Sequence, residues 1–206
     1  MAINDLIIHP SYFVDVITLI HIHHAQNIIL EQQDSYVKQT YRNRCYIAAA
    51  NGKLALNIPI VHQKKGHSVL YSSIEIDNSQ SWATTHLKSI KSAYYSSPYF
   101  EYYQDDLEQL FKEIPSSLIE WNMKTLHFLM EHLQIDRTIK SAINYHDNAL
   151  AKRLITAKGD ALFQLDPYIQ VFQEKHGFTQ PLSGLDLLFN LGPASGSYLK
   201  KQYHKL

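Results

Sequence analysis

The N-terminal part of the chain carries a hydrophobic pattern that predicts a β–α–β unit. Residues 6–8 form a short apolar run that stops at His9-Pro10, where proline has no N–H with which to continue a strand. From residue 12 to residue 25 the apolar side chains recur at helical spacing, and residues 27–30 form the next apolar run. This order predicts two parallel strands joined by a right-handed crossover.

Further strands are predicted between this unit and residue 76. The pair Asn51-Gly52 indicates a tight turn, and it is followed by an apolar strand at residues 54–61 whose Pro59 favours a sheet edge or a bulge. Residues 62–67 are predicted to form a flexible polar loop, and residues 69–76 alternate moderately, as a strand does.

Helical patterns dominate the second half of the chain. The first predicted helix ends at residue 95 and is capped by Ser79 or Ser81. The other predicted elements are helices at residues 99–112, 116–133 and 148–157, strands at 138–144 and 161–165, and a short helix at 185–190. The sequence therefore predicts an α/β fold with a mainly parallel, Rossmann-like sheet flanked by helices and a helix-rich second half. Its length suits a single domain spanning residues 1–206.

The charge balance narrows the classes of partner. The 19 basic residues equal the 19 acidic ones, so the chain offers no general attraction to nucleic acid. No apolar run approaches the roughly 18 residues of a membrane span. The N-terminus lacks the pattern of a signal peptide, and Cys45 has no second cysteine to pair with. We expect a soluble cytoplasmic protein that binds a small-molecule substrate; the oligomeric state stays open.

The segment from Lys38 to Cys45 is the first candidate site, and we call it the basic segment. It places Lys38, Arg42 and Arg44 within eight residues, with Asn43 between the arginines. Arginine binds carboxylates and phosphates through paired hydrogen bonds, so this segment is a candidate anion site. The alternative is a solvated loop.

Histidine and aromatic residues supply the other candidates. His9 follows the first predicted strand, where open α/β sheets bind ligands, and imidazole can act as an acid or a base; the alternative is a turn fixed by Pro10. Trp82 and His86 lie one helical turn apart and can stack a sugar or base, or simply form core. His21 and His24 lack further ligands at metal-binding spacing, so we predict no metal site.

Several motifs together resemble the WbqC-like family of bacterial proteins over nearly the whole chain. The segments that carry the resemblance are residues 9–13 (HPSYF), 38–44 (KQTYRNR), 58–61 (IPIV), 82–86 (WATTH), 92–103 (SAYYSSPYFEYY), 170–178 (QVFQEKHGF) and 182–193 (LSGLDLLFNLGP). One departure is Val14, where the family pattern leads us to expect proline.

The resemblance implies a role in making surface polysaccharides, because members occur among genes for O-antigen, and one proposal is aminoacyl (glycyl) transfer to a sugar. The leading hypothesis is a transferase acting on an activated sugar or an aminoacyl donor, with cofactors unknown. The alternative is a non-catalytic protein that binds sugar nucleotides or assembles polysaccharide enzymes. The predicted catalytic residues are His9 and His86, and the predicted substrate-binding residues are Tyr12, Lys38, Arg42, Asn43, Arg44, Trp82, Tyr94, Asp186 and Asn190. For the last two, a helix cap or a polar core network is the competing interpretation.

Overall fold

A computed structural model describes residues 3–61 and 68–206, so the loop predicted at residues 62–67 lies outside the described residues. The strands are β1 (Ile3–Ile8), β2 (Ala25–Leu30), β3 (Arg44–Ala49), β4 (Gly52–Asn57) and β5 (Thr138–Ser141). The α-helices are α1 (Val16–His24), α2 (Trp82–Tyr94), α3 (Phe100–Leu110), α4 (Leu118–His132), α5 (Ala149–Leu154), α6 (Gln173–His176), α7 (Gly184–Leu191) and α8 (Ser195–Lys201).

The predicted β–α–β unit is confirmed. Strands β1 and β2 pair in parallel with Ile8 opposite Leu30, and α1 connects them. Strand β5 joins the other side of β2, also in parallel, to give the order β1-β2-β5. The mixed α/β class is therefore confirmed, as are the several helices of the second half. The Rossmann-like description is not confirmed, since in residues 3–61 and 68–206 the parallel sheet has three strands and β3 and β4 form a separate antiparallel hairpin.

The first helix begins later than its apolar pattern predicts. Phe13 is buried but has a positive φ of 40°, which a helix cannot contain. Asp15 then caps the helix, because its Oδ1 accepts a hydrogen bond of 2.7 Å from the backbone N–H of Thr18. Residues 9–15 thus form a buried connection between β1 and α1 instead of the first helical turn.

Two predicted strands were wrong, and two others end earlier than predicted, since β5 stops at Ser141 instead of residue 144 and β4 stops before residue 61. Residues 69–76 form no strand, because their backbone groups bond to several different segments instead of to one neighbouring strand. They contain a short 3-10 turn, Tyr71–Ser73. Residues 161–165 form no strand; the N–H of Leu165 donates to the side chain of Gln180. Strand β4 ends at Asn57, before Pro59.

Three helices of the second half pack against strands: α5 contacts β1, and α2 and α7 contact β3. Helix α4 follows its predicted boundaries, with Ser117 as cap and Trp121 and Leu129 fully buried. Helix α7 is also confirmed, whereas α6 and α8 are additional to the predicted elements. None of the helices in the part of the chain that the structure describes is both long and apolar enough to cross a membrane.

Candidate functional site

Buried polar residues follow two strands of the parallel sheet at their carboxyl ends. His9 comes directly after β1 and Glu31 directly after β2, and their exposed fractions are 2% and 0%. Ligands of open parallel sheets bind at this edge. With Asp34 and Arg42, these residues form a connected set that we call the sheet-edge network.

Arg42 connects the network and is itself completely buried. Its Nη1 donates to the carbonyl of Ser35 at 3.1 Å, and its Nη2 lies 2.8 Å from Asp34 Oδ2 and 2.9 Å from His9 Nδ1. The guanidinium also lies over the ring of Tyr71, 4.9 Å from its centre. Arg42 therefore points inward and its two terminal nitrogens bond to the protein, whereas its buried Nε has no partner in residues 3–61 and 68–206.

The partners of His9 define its protonation state. Because arginine can only donate hydrogen bonds, Nδ1 of His9 must accept the bond from Arg42. A neutral imidazole then carries its proton on Nε2, which lies 3.7 Å from Asp34 Oδ2. Burial, helped by the charge of Arg42 and opposed by Asp34 and Glu31, lowers the pKa of His9 to about 4. His9 is therefore neutral near neutral pH, and its Nδ1 is occupied by Arg42.

Sequence reasoning missed Glu31, Asp34 and His146. Glu31 Oε1 accepts from the backbone N–H of Gln33 at 2.7 Å, and its Oε2 accepts from the N–H of His146 at 2.6 Å. The Nδ1 atom of His146 lies 3.5 Å from Oε2, and 43% of that side chain is exposed. A buried carboxylate beside a solvent-exposed imidazole resembles the orienting half of a catalytic dyad. The signal for Glu31 was its place directly after an apolar run.

The basic segment divides between this network and a neighbouring cleft. The cleft has a volume of about 250 Å³, and we call it the arginine cleft. Its lining residues are Tyr36, Lys38, Gln39, Asn43, Arg44, Ile60 and Val61. Tyr36 stacks on Tyr71 with ring centres 6.3 Å apart, and Tyr71 in turn contacts Arg42, so the cleft and the network are contiguous.

The arginine cleft contains polar atoms without partners. Tyr36 Oη, Asn43 Oδ1 and Arg44 Nε are buried and bond to nothing in residues 3–61 and 68–206, although Asn43 Nδ2 donates to Ile58. Within the same described ranges no carboxylate lies within 4.0 Å of the Lys38 or Arg44 nitrogens. Burial raises the pKa of Tyr36 to about 12 despite the opposing charges of Arg42 and Arg44, so its hydroxyl keeps its proton. The cleft thus presents cations and donors with unused capacity.

The second predicted histidine lies in a different place. His86 Nδ1 bonds to the hydroxyl of Tyr12 at 3.0 Å. Trp82 lies edge-on to His86 with ring centres 5.1 Å apart and donates to Asn78. Burial lowers the pKa of His86 to about 4. Tyr12, Trp82 and His86 are buried and form an aromatic cluster at α2, which packs against β3.

The remaining candidates lie in a third group, which we call the Asp186 network. Asp186 Oδ1 accepts from the hydroxyl of Tyr94 at 3.0 Å, while Oδ2 accepts from Tyr168 at 2.6 Å and from Gln170 at 2.9 Å. Asn190 donates to the backbone carbonyl of Asp186. Every one of these side chains is buried. This geometry matches the competing interpretation of a polar core network.

The predicted residues therefore fall into three groups instead of one pocket. His9 and Arg42 meet in the sheet-edge network, and Lys38, Asn43 and Arg44 line the adjoining cleft. The other two groups are those around His86 and around Asp186.

Comparison with known proteins identifies the family of the chain. The model of the WbqC-like protein family matches residues 18–161, which include the basic segment, Glu31, His86 and His146 but not His9 or Asp186. No curated protein and no solved structure matches the chain.

Proposed function

The chain belongs to the WbqC-like protein family, and from this premise we propose that it is a cytoplasmic transferase that modifies an activated sugar during synthesis of a surface polysaccharide such as O-antigen. The proposed reaction is transfer of an aminoacyl group, for example glycyl, to an amine or hydroxyl of the sugar.

The observation that carries this proposal is the arginine cleft and its position beside the sheet-edge network. An activated sugar carries a phosphate, which needs cations and hydrogen-bond donors that the protein has not already used. The cleft supplies them in Lys38, Arg44 and the Tyr36 hydroxyl. It adjoins the carboxyl ends of parallel strands, where ligands of this class of sheet bind.

Each residue of the cleft has a role in the proposal. Arg44 and Lys38 bind the phosphate, and the free oxygen of Asn43 accepts a hydroxyl of the sugar and fixes its orientation. Arg42 is a positioning residue, since its buried guanidinium holds the chain at Ser35 and so fixes the adjacent Tyr36.

The acid–base role in this proposal goes to His146. Its ring reaches solvent while Glu31 lies beside it, whereas His9 and His86 are buried and each has its Nδ1 engaged by the protein. His146 takes a proton from the attacking amine while the nitrogen of that amine bonds to the carbonyl carbon of the aminoacyl group. The carbonyl's bond to its leaving group breaks, and that group departs with the electron pair.

The second candidate is a non-catalytic protein that binds sugar nucleotides or assembles polysaccharide enzymes. It is favoured by the engagement of His9 and His86, which leaves neither imidazole free to take a proton. Both candidates require ligand binding in the arginine cleft, but the first also requires turnover.

The first part of the test measures binding of UDP-glucose by isothermal titration calorimetry. We expect Arg44→Ala to weaken binding about 10-fold or more, because it removes a charge-assisted contact to phosphate. Lys88→Ala is the matched control, since Lys88 is an exposed cation of α2 that does not line the cleft. Equal binding by wild type and Arg44→Ala would remove the basis of both candidates.

The second part separates enzyme from binding protein. The protein is incubated with a UDP-linked amino sugar and a glycyl thioester, and mass spectrometry looks for a glycyl amide on the sugar. For a transferase we expect product with the wild type and about 10²-fold less with His146→Ala at unchanged affinity for the nucleotide sugar. Binding without product in the wild type favours the second candidate.

A further inference from the structure

A second cleft lies apart from the arginine cleft and shares no lining residue with it. Its volume is about 370 Å³, within the range of small-molecule sites. We call it the Asp15 cleft. Its polar lining residues are Asp15, Tyr41, Lys53, Arg153, Thr156, Lys158 and Asp160. Because Tyr41 belongs to the basic segment, that segment contributes to both clefts.

Asp15 provides a buried carboxyl group on one wall of this cleft. Only 7% of the residue is exposed, and its Oδ1 caps helix α1. In the ranges 3–61 and 68–206 no lysine, arginine or histidine nitrogen lies within 4.0 Å of this carboxylate. Burial raises its pKa to about 6, which the hydrogen bonds from the first helical turn and the charge of Lys53 only partly offset. A carboxyl kept in so costly a position faces a cavity large enough for a ligand.

The other polar groups of the Asp15 cleft also have unused capacity. Lys53 lies over the ring of Tyr46, 4.3 Å from its centre, and makes no ion pair in the described part of the chain. The same is true there of Arg153 and Lys158. Tyr41 is 6% exposed, and its ring meets Tyr46 edge to face.

The charges of this cleft select a class of ligand. Lys53, Arg153 and Lys158 outnumber the acidic residues, so they favour a ligand with a carboxylate or phosphate. Asp15 and Tyr41 suit hydroxyl groups, which can donate to a carboxylate. An ammonium group is disfavoured beside Asp15, because the surrounding cations repel it. We propose that the Asp15 cleft is a separate binding site for an acidic sugar, that is, a polyol carrying a carboxylate or a phosphate.

This inference goes beyond the proposed function, because the site stands whether or not the arginine cleft binds a nucleotide. The probes are glucose 6-phosphate and glucuronate, which share the polyol and differ in the acidic group. Two simpler compounds are the controls: inorganic phosphate has an acidic group without the polyol, and glucose has the polyol without an acidic group. Binding is measured by ligand-observed NMR and calorimetry on the full chain. We expect at least one of the two acidic sugars to bind more tightly than inorganic phosphate and more tightly than glucose.

Two variants locate the binding without threatening the fold. Arg153→Ala removes an exposed cation, and Asp15→Asn keeps a side chain that caps helices equally well. Each is expected to weaken binding of the acidic sugar about 10-fold, the usual scale of one charge-assisted contact. Arg44→Ala is the matched control in the other cleft and is expected to leave this binding unchanged.

Three results would overturn the proposal. One is the absence of saturable binding by both acidic sugars. Another is binding that Asp15→Asn and Arg153→Ala leave unchanged while circular dichroism shows the native fold. The third is inorganic phosphate binding as tightly as glucose 6-phosphate with glucuronate not binding, which would leave Asp15 and Tyr41 without a role.

Discussion

Glu31 and Asp186 are equally buried, with 0% exposure each, but their surroundings differ. The carboxylate of Asp186 accepts hydrogen bonds from three side chains that are themselves buried. Glu31 accepts from two backbone N–H groups and lies beside His146, whose ring reaches solvent. Burial of a charged group therefore does not by itself distinguish a binding region from a structural one.

Unused hydrogen-bonding capacity distinguishes the two regions better. Next to the sheet-edge network, Tyr36, Asn43 and Arg44 each have a buried polar atom without a partner in the described residues. In the Asp186 network both carboxylate oxygens are occupied, and Tyr94 also accepts from the backbone N–H of Ala48 in β3. A buried polar atom without a partner costs free energy, so these three atoms are the ones with capacity to bond to a ligand or to water.

The two networks also respond to pH in opposite directions. The pKa of His9 is lowered mainly by burial, so acid weakens the sheet-edge network once this histidine must take a proton. The pKa of Asp186 is raised by burial, so acid relieves the cost of its charge.

The largest expected effect is that of Asp186→Ala on stability. This change leaves two tyrosine hydroxyls and the Gln170 amide without an acceptor in the core, and each such group costs about 1–3 kcal/mol. We expect a loss of about 3 kcal/mol in the free energy of unfolding, measured by urea denaturation. Asp105→Ala, at an exposed site of α3, is the control and should change it by less than about 0.5 kcal/mol. A native-like stability of Asp186→Ala with impaired UDP-glucose binding would instead make Asp186 a ligand-binding residue.

The second prediction concerns acid. Above pH 6.5, the ordinary pKa of histidine, His9 is neutral in both the folded and the unfolded state and contributes no pH dependence. As the pH falls from 6.5 to about 4, the unfolded state takes up a proton that the folded state excludes, so stability falls. The lowered pKa of His9 corresponds to a loss of about 3 kcal/mol at most in the free energy of unfolding.

The His9→Asn variant tests this sign. Its Oδ1 can still accept from Arg42, but the side chain does not titrate. We expect its free energy of unfolding to fall less steeply between pH 6.5 and 4 than that of the wild type. Parallel curves for the two proteins would show that His9 is protonated in the fold, and the neutral assignment would then be wrong.

The sequence predicts the parallel unit well because its determinants are local. Apolar runs at residues 6–8 and 27–30 flank a helical stripe, and the strand-end rule then places His9 at the sheet edge. The same local reasoning fails at residues 69–76, where an alternating pattern is present but the backbone bonds to several different segments. Periodicity shows which faces are apolar but not which strand, if any, lies alongside.

The division of the basic segment could not be predicted for a related reason. Arg42 and Arg44 are two residues apart, but the chain passes through an irregular loop with Gln39 at a φ of 61° before β3 begins at Arg44. In such a loop neither the helical nor the strand repeat tells which way the side chains of Arg42 and Arg44 point. His146 joins the site because β5 pairs with β2, a long-range contact between segments more than a hundred residues apart, and Glu31 receives its N–H for that reason.

The smallest expected effect on stability is that of Tyr36→Phe, and comparing this variant with Tyr168→Phe tests the difference between the two regions most directly. Removing the Tyr168 hydroxyl takes a donor from Asp186 and should cost about 1.5–3 kcal/mol, the usual value of a hydrogen bond to a charged group. Removing the Tyr36 hydroxyl takes away a buried group without a partner in the described residues, so we expect stability that is unchanged or slightly higher.

Calorimetry with UDP-glucose should give the opposite ranking of the two variants, because Tyr36 lines the arginine cleft. We expect Tyr36→Phe to bind about 5–10-fold more weakly and Tyr168→Phe to bind as the wild type does. If Tyr36→Phe instead loses stability and keeps its affinity, its hydroxyl has a structural partner, and unused capacity no longer separates the two regions.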